Sequence, residues 1–409
     1  MTSRMRKERG GRPGWLFRPD GRTFNNISLS DTEAACAELA RITGRDLMRR
    51  AKEAGARFAV FDSKSQWYAL HETSVSEKHP GLGKRDLVAE LCAAGRALGV
   101  VYVPYVPANS DRRAGREHPD WLVRDAAGEV KPRPDGMLIC CQVGPYRAFM
   151  CAYLEELARN YDIGGVWFDG IGAWLCYCEA CRRLFREETG LDLPGQRDPE
   201  AWKAIESLQG DWGRLPADVQ RDWPAWVRWM NFRDRLTREI VRDYAAAIHR
   251  GKPGLPVIAI SCFHGWPHGP ADMGPGADLV PCESLWSWPT AQVQVYRAVA
   301  GYRPTESYLQ NFQYAPNLPL SLPEQQSRLH ALTTLASGGL PMMTIFGPPR
   351  PIAQVNRELR VRAPWTKDAR EVPYCGVVWS ERSRNLHDRS EWGEPSLQAL
   401  YGTVKILLE

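Results

Sequence analysis

The sequence predicts a (β/α)8 barrel, and three observations carry that expectation. Short apolar runs recur along the chain, each followed by a polar loop and then a stretch of helical period, the pattern of βα units around a parallel sheet. About eight such runs can be counted, enough to close a barrel. The 409 residues exceed an ordinary single domain, yet one barrel of about 250 residues with insertions absorbs most of them.

Taken in order, the first run is Arg57 to Asp62 and the second Gly99 to Tyr105, with an amphipathic helix over Lys84 to Leu98 between them. A third strand is expected near Met137 to Cys141. Pro145 to Asn160 reads as a helix feeding a fourth strand, Gly165 to Phe168, which ends in Asp169. Cys181 to Thr189 is helical, with Gly190 suited to its C-cap, and Pro194 to Asp222 is a Trp- and Pro-containing insertion. The long helix Pro224 to His249 leads into a strand at Val257 to Ser261. Further strands are expected at Leu279 to Cys282, Ser307 to Asn311 and Met342 to Phe346, the last after a helix ending at Gly338-Gly339. Beyond Pro364 a new strand, Tyr374 to Trp379, and a new helix, Ser396 to Leu408, begin a unit too short to bury itself. The expected organisation is a flexible basic tail over 1–24, a catalytic barrel over 25–365, and the beginning of a second, truncated α/β domain over 366–409.

Composition excludes several classes. Hydrophobic residues are 44% and charged residues 25% of the chain, ordinary for a globular protein. The net charge of +5 comes from 53 basic and 48 acidic residues, and no aromatic-interleaved basic patch follows the basic start Met1 to Arg12, so nucleic acid is not an expected partner. No apolar run reads as a secretory leader or a membrane span, so no membrane partner and a cytoplasmic location are expected. Eleven cysteines, an odd number, point to thiols or a metal site rather than disulfides. Among the 16 tryptophans, Trp67, Trp121, Trp174, Trp266, Trp286 and Trp288 lie beside polar residues in loops. Their flat faces suit sugar rings; the competing reading is ordinary packing.

The segment Gly165-Val166-Trp167-Phe168-Asp169-Gly170 sets a carboxylate at the C-terminal end of a strand, where barrel enzymes assemble their sites. Glycosidic cleavage needs two carboxyl groups, one to protonate the leaving oxygen and one to attack or to activate water. Asp169 is the first candidate, against the alternative that it only caps a turn. Glu283, ending a later strand beside Leu285 and Trp286, is the second, because an apolar setting raises a carboxyl pKa for acid work. Glu306 and Glu72 are further candidates or plain surface charges. Lys64 and Trp67 in the loop 62–68, His79, and His264 and Trp266 in the loop 261–266 have the polar and aromatic character of sugar-hydroxyl contacts. Their ordinary alternatives are a solvated lysine and structural histidines. No phosphate-binding Gly-rich loop stands in a strand-to-helix context.

Cys176-x-Cys178-x-x-Cys181 follows Asp169 closely and opens a helix. With a fourth thiolate from Cys140 or Cys141 these residues make a closed tetrahedral site, hence a structural zinc that pins the loop carrying the strand end. Reduced cysteines without metal are the alternative.

The stretch Phe58 to Tyr105, with Lys64 and the helix beginning Lys84-Arg85-Asp86-Leu87-Val88-Ala89-Glu90-Leu91, resembles family 29 α-L-fucosidases, and Asp169 takes the position of their nucleophile. Where those enzymes carry paired histidines after the lysine, this chain has Ser65 and Gln66. The cysteine pattern resembles family 42 β-galactosidases, in which a Cys ahead of a Pro-x-Tyr-Arg-like segment joins a later C-x-C-x-x-C on zinc. Cys141 ahead of Pro145-Tyr146-Arg147 fits that place. In that family the strand-four carboxylate is a Glu acting as acid/base, so the two resemblances imply different roles for Asp169. Over about residues 25–360 the joint order of motifs resembles the group called hypothetical glycosyl hydrolase 6, barrels often followed by a flavodoxin-like trimerisation domain, whose start is similar to Val372 to Leu408. The resemblance implies a glycoside hydrolase with a carbohydrate substrate, and a homo-oligomer, a trimer where that trailing domain is complete. The expected assignment is Asp169 as nucleophile and Glu283 as acid/base. Retention corresponds to carboxyl groups about 5 to 5.5 Å apart and inversion to about 6.5 to 9.5 Å. A catalytically inactive carbohydrate-binding barrel, or a lyase or transferase using Lys64, His79 or His264 as proton shuttles, are the alternatives on the same fold.

Overall fold

A computed structural model of the chain describes residues 13–25, 32–130, 138–195, 223–260, 273–274, 276–284, 289–300, 305–309, 312–315, 318–321, 324–345, 348–366, 375–380 and 395–408. Eight parallel strands form one sheet: β1 (Arg22–Asn25), β2 (Phe58–Asp62), β3 (Val101–Pro107), β4 (Val166–Asp169), β5 (Val257–Ala259), β6 (Cys282–Ser284), β7 (Glu306–Leu309) and β10 (Leu340–Thr344). Between β7 and β10, β8 (Phe312–Ala315) and β9 (Leu318–Ser321) pair as an antiparallel hairpin. The sheet order runs from β5 through β4, β3, β2, β1, β10 and β7 to β6. Its two ends meet just ahead of β6: Ile258 bridges Leu279 in parallel, Asp278 N donates to Val257 O at 2.8 Å, and Ala259 N donates to Leu279 O at 3.2 Å. The ring thus closes as a (β/α)8 barrel.

Helices α1 (Glu33–Arg41), α2 (Gly44–Glu53), α3 (Leu87–Leu98), α4 (Arg112–Glu117), α5 (Tyr146–Asn160), α6 (Glu179–Thr189), α7 (Trp223–Gly251), α8 (Pro289–Val299), α9 (Glu324–Ala336), α10 (Arg350–Thr366) and α11 (Pro395–Leu408) connect and follow the strands. The predicted helix over 84–98 starts at Leu87 because the Asp86 carboxylate accepts from Ala89 N, an N-cap. It stops at Gly99, whose φ of +65° is left-handed. Among the described residues no helix is long and apolar enough to cross a membrane.

Two expectations are corrected here. Leu138 to Cys141 supply no barrel strand; Cys140 makes a single bridge with Leu122. The missing strand is β1, which begins inside what read as a tail. Its sequence Arg-Thr-Phe-Asn lacks the apolar run that marks a strand, since one inward position carries an arginine whose charge is met elsewhere in the barrel. Ahead of it the turn Gly14–Phe17 packs under the barrel, with Trp15 stacked on Phe58 at 4.9 Å and Leu16 fully buried. Farther along, Cys375 to Ser380 form no strand among the described residues, while the expected C-terminal helix is present as α11. The sequence expectation for 1–12 and most of the 194–222 insertion lie outside the described residues.

Strand alternation separates two cores. One face packs on the surrounding helices. The other fills the barrel with Phe24, Phe58, Val60, Val103, Tyr105, Trp167, Ile258, Tyr308 and Met342, all buried.

Candidate active site and metal centre

At the C-terminal end of β4, two residues past the inward Trp167, the half-buried Asp169 is held by both oxygens. The Tyr105 hydroxyl donates to Oδ2 at 2.6 Å and the Gly170 backbone N donates to Oδ1 at 2.7 Å. Gly170 has φ +65°, and a Cβ there would lie 2.4 Å from Asn109 Cγ, so only glycine lets the turn pass this close. Gln142, fully buried, donates to Gly170 O at 2.7 Å. The strand end is therefore fixed from the neighbouring β3 loop and from the segment ahead of α5.

Tyr105 stands in an aromatic layer. Its ring stacks on Trp167 at 5.5 Å and meets the edge of Phe24 at 5.4 Å, and Phe24 in turn contacts Tyr308 at 4.8 Å. Burial, then the Asp169 charge, push the Tyr105 phenol well above its usual pKa. It stays a donor. Asp62, buried at the end of β2, is in register with Tyr105 and adds a further negative charge beside the phenol. Asp62 is not among the site residues expected from the sequence. Its signal was available in the alternation Phe58, Val60, Asp62, which puts a carboxylate on the inward side at a strand end.

Glu283, the other expected carboxylate, lies in β6 with its backbone in register with Tyr308. Of the expected sugar contacts, Trp67 is half-buried on the β2 loop. His79 is fully buried and its Nδ1 accepts from Gly81 N at 3.0 Å, capping a short turn. His264, Trp266 and Trp286 lie outside the described residues. Glu72 is an exposed loop charge paired with Lys78.

Two expected contacts are corrected. Lys64 has no exposed surface: its ammonium donates to Ser110 O, to Ser65 O at 3.2 Å and to the buried Asp111 carboxylate at 3.2 Å. It joins two loops instead of facing a sugar. Glu306 starts β7 and so sits at the opposite, N-terminal end of the barrel. There its carboxylate takes Arg22 Nε at 2.6 Å and Trp167 Nε1 at 3.0 Å, all inside the closed interior.

Beside the β4 loop, Cys141, Cys176, Cys178 and Cys181 are all buried, with their sulfurs within 4.8 Å of one another. Cys141 Sγ and Cys181 Sγ are 3.5 Å apart. Hydrogen bonds from the other three thiols hold the Cys178 thiol well below its ordinary pKa, whereas Cys141 and Cys181 are pushed up. Cys140 is buried outside this cluster, and burial moves its thiol up to about 12. The group of four is a set of ligands suited to a metal ion, and it includes Cys141 rather than Cys140.

Residues 43–170 match the family model described as Hypothetical glycosyl hydrolase 6. The match takes in β2, β3 and β4 and ends one residue past Asp169. No curated protein matches the chain. Among solved structures, an α-L-fucosidase isoenzyme 2 from Paenibacillus thiaminolyticus is similar with TM-score 0.67 and 18% identity, covering 86% of this chain and 50% of its own. A β-galactosidase from Bacillus circulans sp. alkalophilus gives TM-score 0.64 and 16% identity over 95% of this chain and 64% of its own. A catalytic mutant of a GH42 β-galactosidase from G. stearothermophilus gives 0.60 and 12% over 86% and 58%. At these identities the likeness is one of fold. The chain spans about half to two-thirds of the length of these structures.

Proposed function

We propose that the chain is a retaining glycoside hydrolase with Asp169 as its nucleophile. The observation that carries this reading is the pair of donors on the Asp169 carboxylate, Tyr105 Oη and Gly170 N. Hydrogen bonds to the ionised form favour it, which suits an attacking carboxylate and not a proton donor. Of the two roles that the fucosidase and galactosidase likenesses imply for the strand-four carboxylate, this supports the nucleophile.

In this reading one Asp169 oxygen bonds to the anomeric carbon as the glycosidic C–O bond breaks, and the leaving oxygen takes its proton from Glu283. Water then adds to the anomeric carbon, gives its proton to Glu283, and releases Asp169 as carboxylate. Trp67 at the mouth offers a stacking face for a sugar ring, with His264, Trp266 and Trp286 as further contacts. The four-cysteine cluster takes a structural zinc, because four buried thiolates satisfy its tetrahedral preference and leave no open position for chemistry. Its part is to tether the loop that follows Asp169.

The test is a panel of aryl glycosides covering both anomers of fucose, galactose, arabinose and glucose, run with wild type and Asp169→Asn. Release from at least one glycoside is expected, falling by roughly a thousandfold or more in the variant. Undiminished release by Asp169→Asn would sink the assignment, and silence of the wild type across the panel would overturn the hydrolase reading for these sugars.

A further inference from the structure

We infer that Tyr105 is the positioning residue that sets Asp169's chemical role, and that breakdown of the glycosyl-enzyme depends on its hydroxyl. The inference rests on the nucleophile reading above.

The geometry leaves Tyr105 little freedom. Pairing of β3 with β4 sets Tyr105 in register with Trp167, and its hydroxyl reaches along the barrel axis to Asp169 Oδ2 at 2.6 Å. Phe24 and Trp167 hold the ring on two sides, and Trp167 is itself anchored through Nε1 to Glu306 Oε1 at 3.0 Å. A chain of contacts therefore runs from the charged barrel floor to the carboxylate at its mouth. The phenol keeps its proton, since its burial and the neighbouring charges of Asp169 and Asp62 all oppose ionisation.

A fixed phenol donor makes a carboxylate less basic. That keeps it ionised and available to attack, at some cost in intrinsic nucleophilicity, and improves it as a leaving group. While the anomeric carbon is bonded to Asp169, the other oxygen is an ester carbonyl and the phenol's bond to it is weak. As water attacks the anomeric carbon and the C–O bond to Asp169 breaks, negative charge returns to the carboxylate and the hydrogen bond regains its strength. The donor thus contributes more to the second transition state than to the intermediate before it, which is the condition for raising turnover.

The test has two arms. Without substrate, the carboxyl carbon of Asp169 is titrated by NMR in protein labelled at aspartate Cγ, its signal identified by its loss in Asp169→Asn. The midpoint in Tyr105→Phe should lie above that of the wild type; an unmoved midpoint overturns the inference. Should Tyr105→Phe fail to fold, 3-fluorotyrosine incorporated in place of Tyr105, a stronger donor, must move the midpoint down, and no movement has the same force. With 4-nitrophenyl α-L-fucoside and 4-nitrophenyl β-D-galactoside as probes, Tyr105→Phe should lower kcat by about tenfold and KM with it, leaving kcat/KM little changed. A glycosyl adduct on Asp169 should then accumulate by mass spectrometry. A fall in kcat/KM with KM constant would instead mark a merely structural loss and overturn it. Full turnover by Asp169→Asn sinks the nucleophile reading alone, because the titration still reports whether Tyr105 governs this carboxylate.

Discussion

A lysine with no exposed surface persists only where every proton of its ammonium is used, and Lys64 meets that condition. Its three acceptors, Ser65 O, Ser110 O and Asp111, lie in two successive βα loops, and Asp111 in turn accepts from Ser76 Oγ at 2.6 Å and caps α4 through Ala114 N at 3.0 Å. Removing one partner of such a pair strands the other charge in a dry place, at a cost of about 3 to 5 kcal/mol. Lys64→Met should therefore lower the free energy of unfolding in urea by about 3 kcal/mol. Adding Asp111→Asn should recover part of the loss, since the stranded charge is then gone. A single variant as stable as the wild type would mean that the pair contributes nothing. The sequence gives no warning of this burial. Within 62–68 every residue type is compatible with a wet, sugar-facing loop, and a lysine turned inward looks the same as one turned outward until Asp111 is brought beside it. Glu306 misleads for the same reason, because its partner Arg22 is 284 residues away.

The loop between β4 and α6 shows which elements a sequence does make legible. Here the information is local: a strand ending in an acid, a glycine after it, and three cysteines at C-x-C-x-x-C spacing leading into α6. The strand end and the three cysteines stand where the pattern predicts them, and the left-handed Gly170 is what the structure adds. The fourth cysteine is less local, and its identity came from resemblance rather than from spacing. β1 was not legible at all, since four residues with Arg22 and Asn25 at the ends give no apolar period, and only pairing with β2 and β10 makes them a strand. If zinc ties this loop, purified wild type should carry one equivalent of zinc by plasma mass spectrometry. Cys178→Ser should lose it and melt about 5 °C or more lower, as should chelator-treated wild type. A variant that melts with the wild type, whatever its zinc content, would show that the cluster is not a tether.

Across the whole barrel, the interior is layered by polarity: an Arg22–Glu306 pair at the floor, aromatic rings in the middle, and the carboxylates Asp62 and Asp169 at the mouth. The fold class follows from the repeated βα pattern, but this layering depends on residues brought together from strands throughout the chain. The outer shell holds a titratable group of the same kind. His71, fully buried, bridges the loop after β2 to α5: its ring nitrogens meet Tyr153 Oη at 2.9 Å and Glu72 O at 2.9 Å, an arrangement satisfied by a neutral imidazole donating to the carbonyl and accepting from the phenol. Burial lowers its pKa below the ordinary 6.5, outweighing the backbone hydrogen bond and nearby carboxylates that raise it. The unfolded chain then takes up a proton near pH 6.5 that the folded chain refuses. The stability tied to the neutral ring is complete above that pH and is lost as pH falls below it, until the folded pKa is reached, with a slope of at most about 1.4 kcal/mol per pH unit. Urea unfolding at pH 7.5 and pH 5.5 should show the wild type losing stability on acidification. His71→Gln, which keeps a donor and an acceptor but cannot titrate, should flatten that loss by about 1 kcal/mol even if it is less stable at both pH values. An equal pH dependence in the two proteins would show that the ring is free to protonate in the folded state, and that the Tyr153 and Glu72 contacts do not hold it neutral.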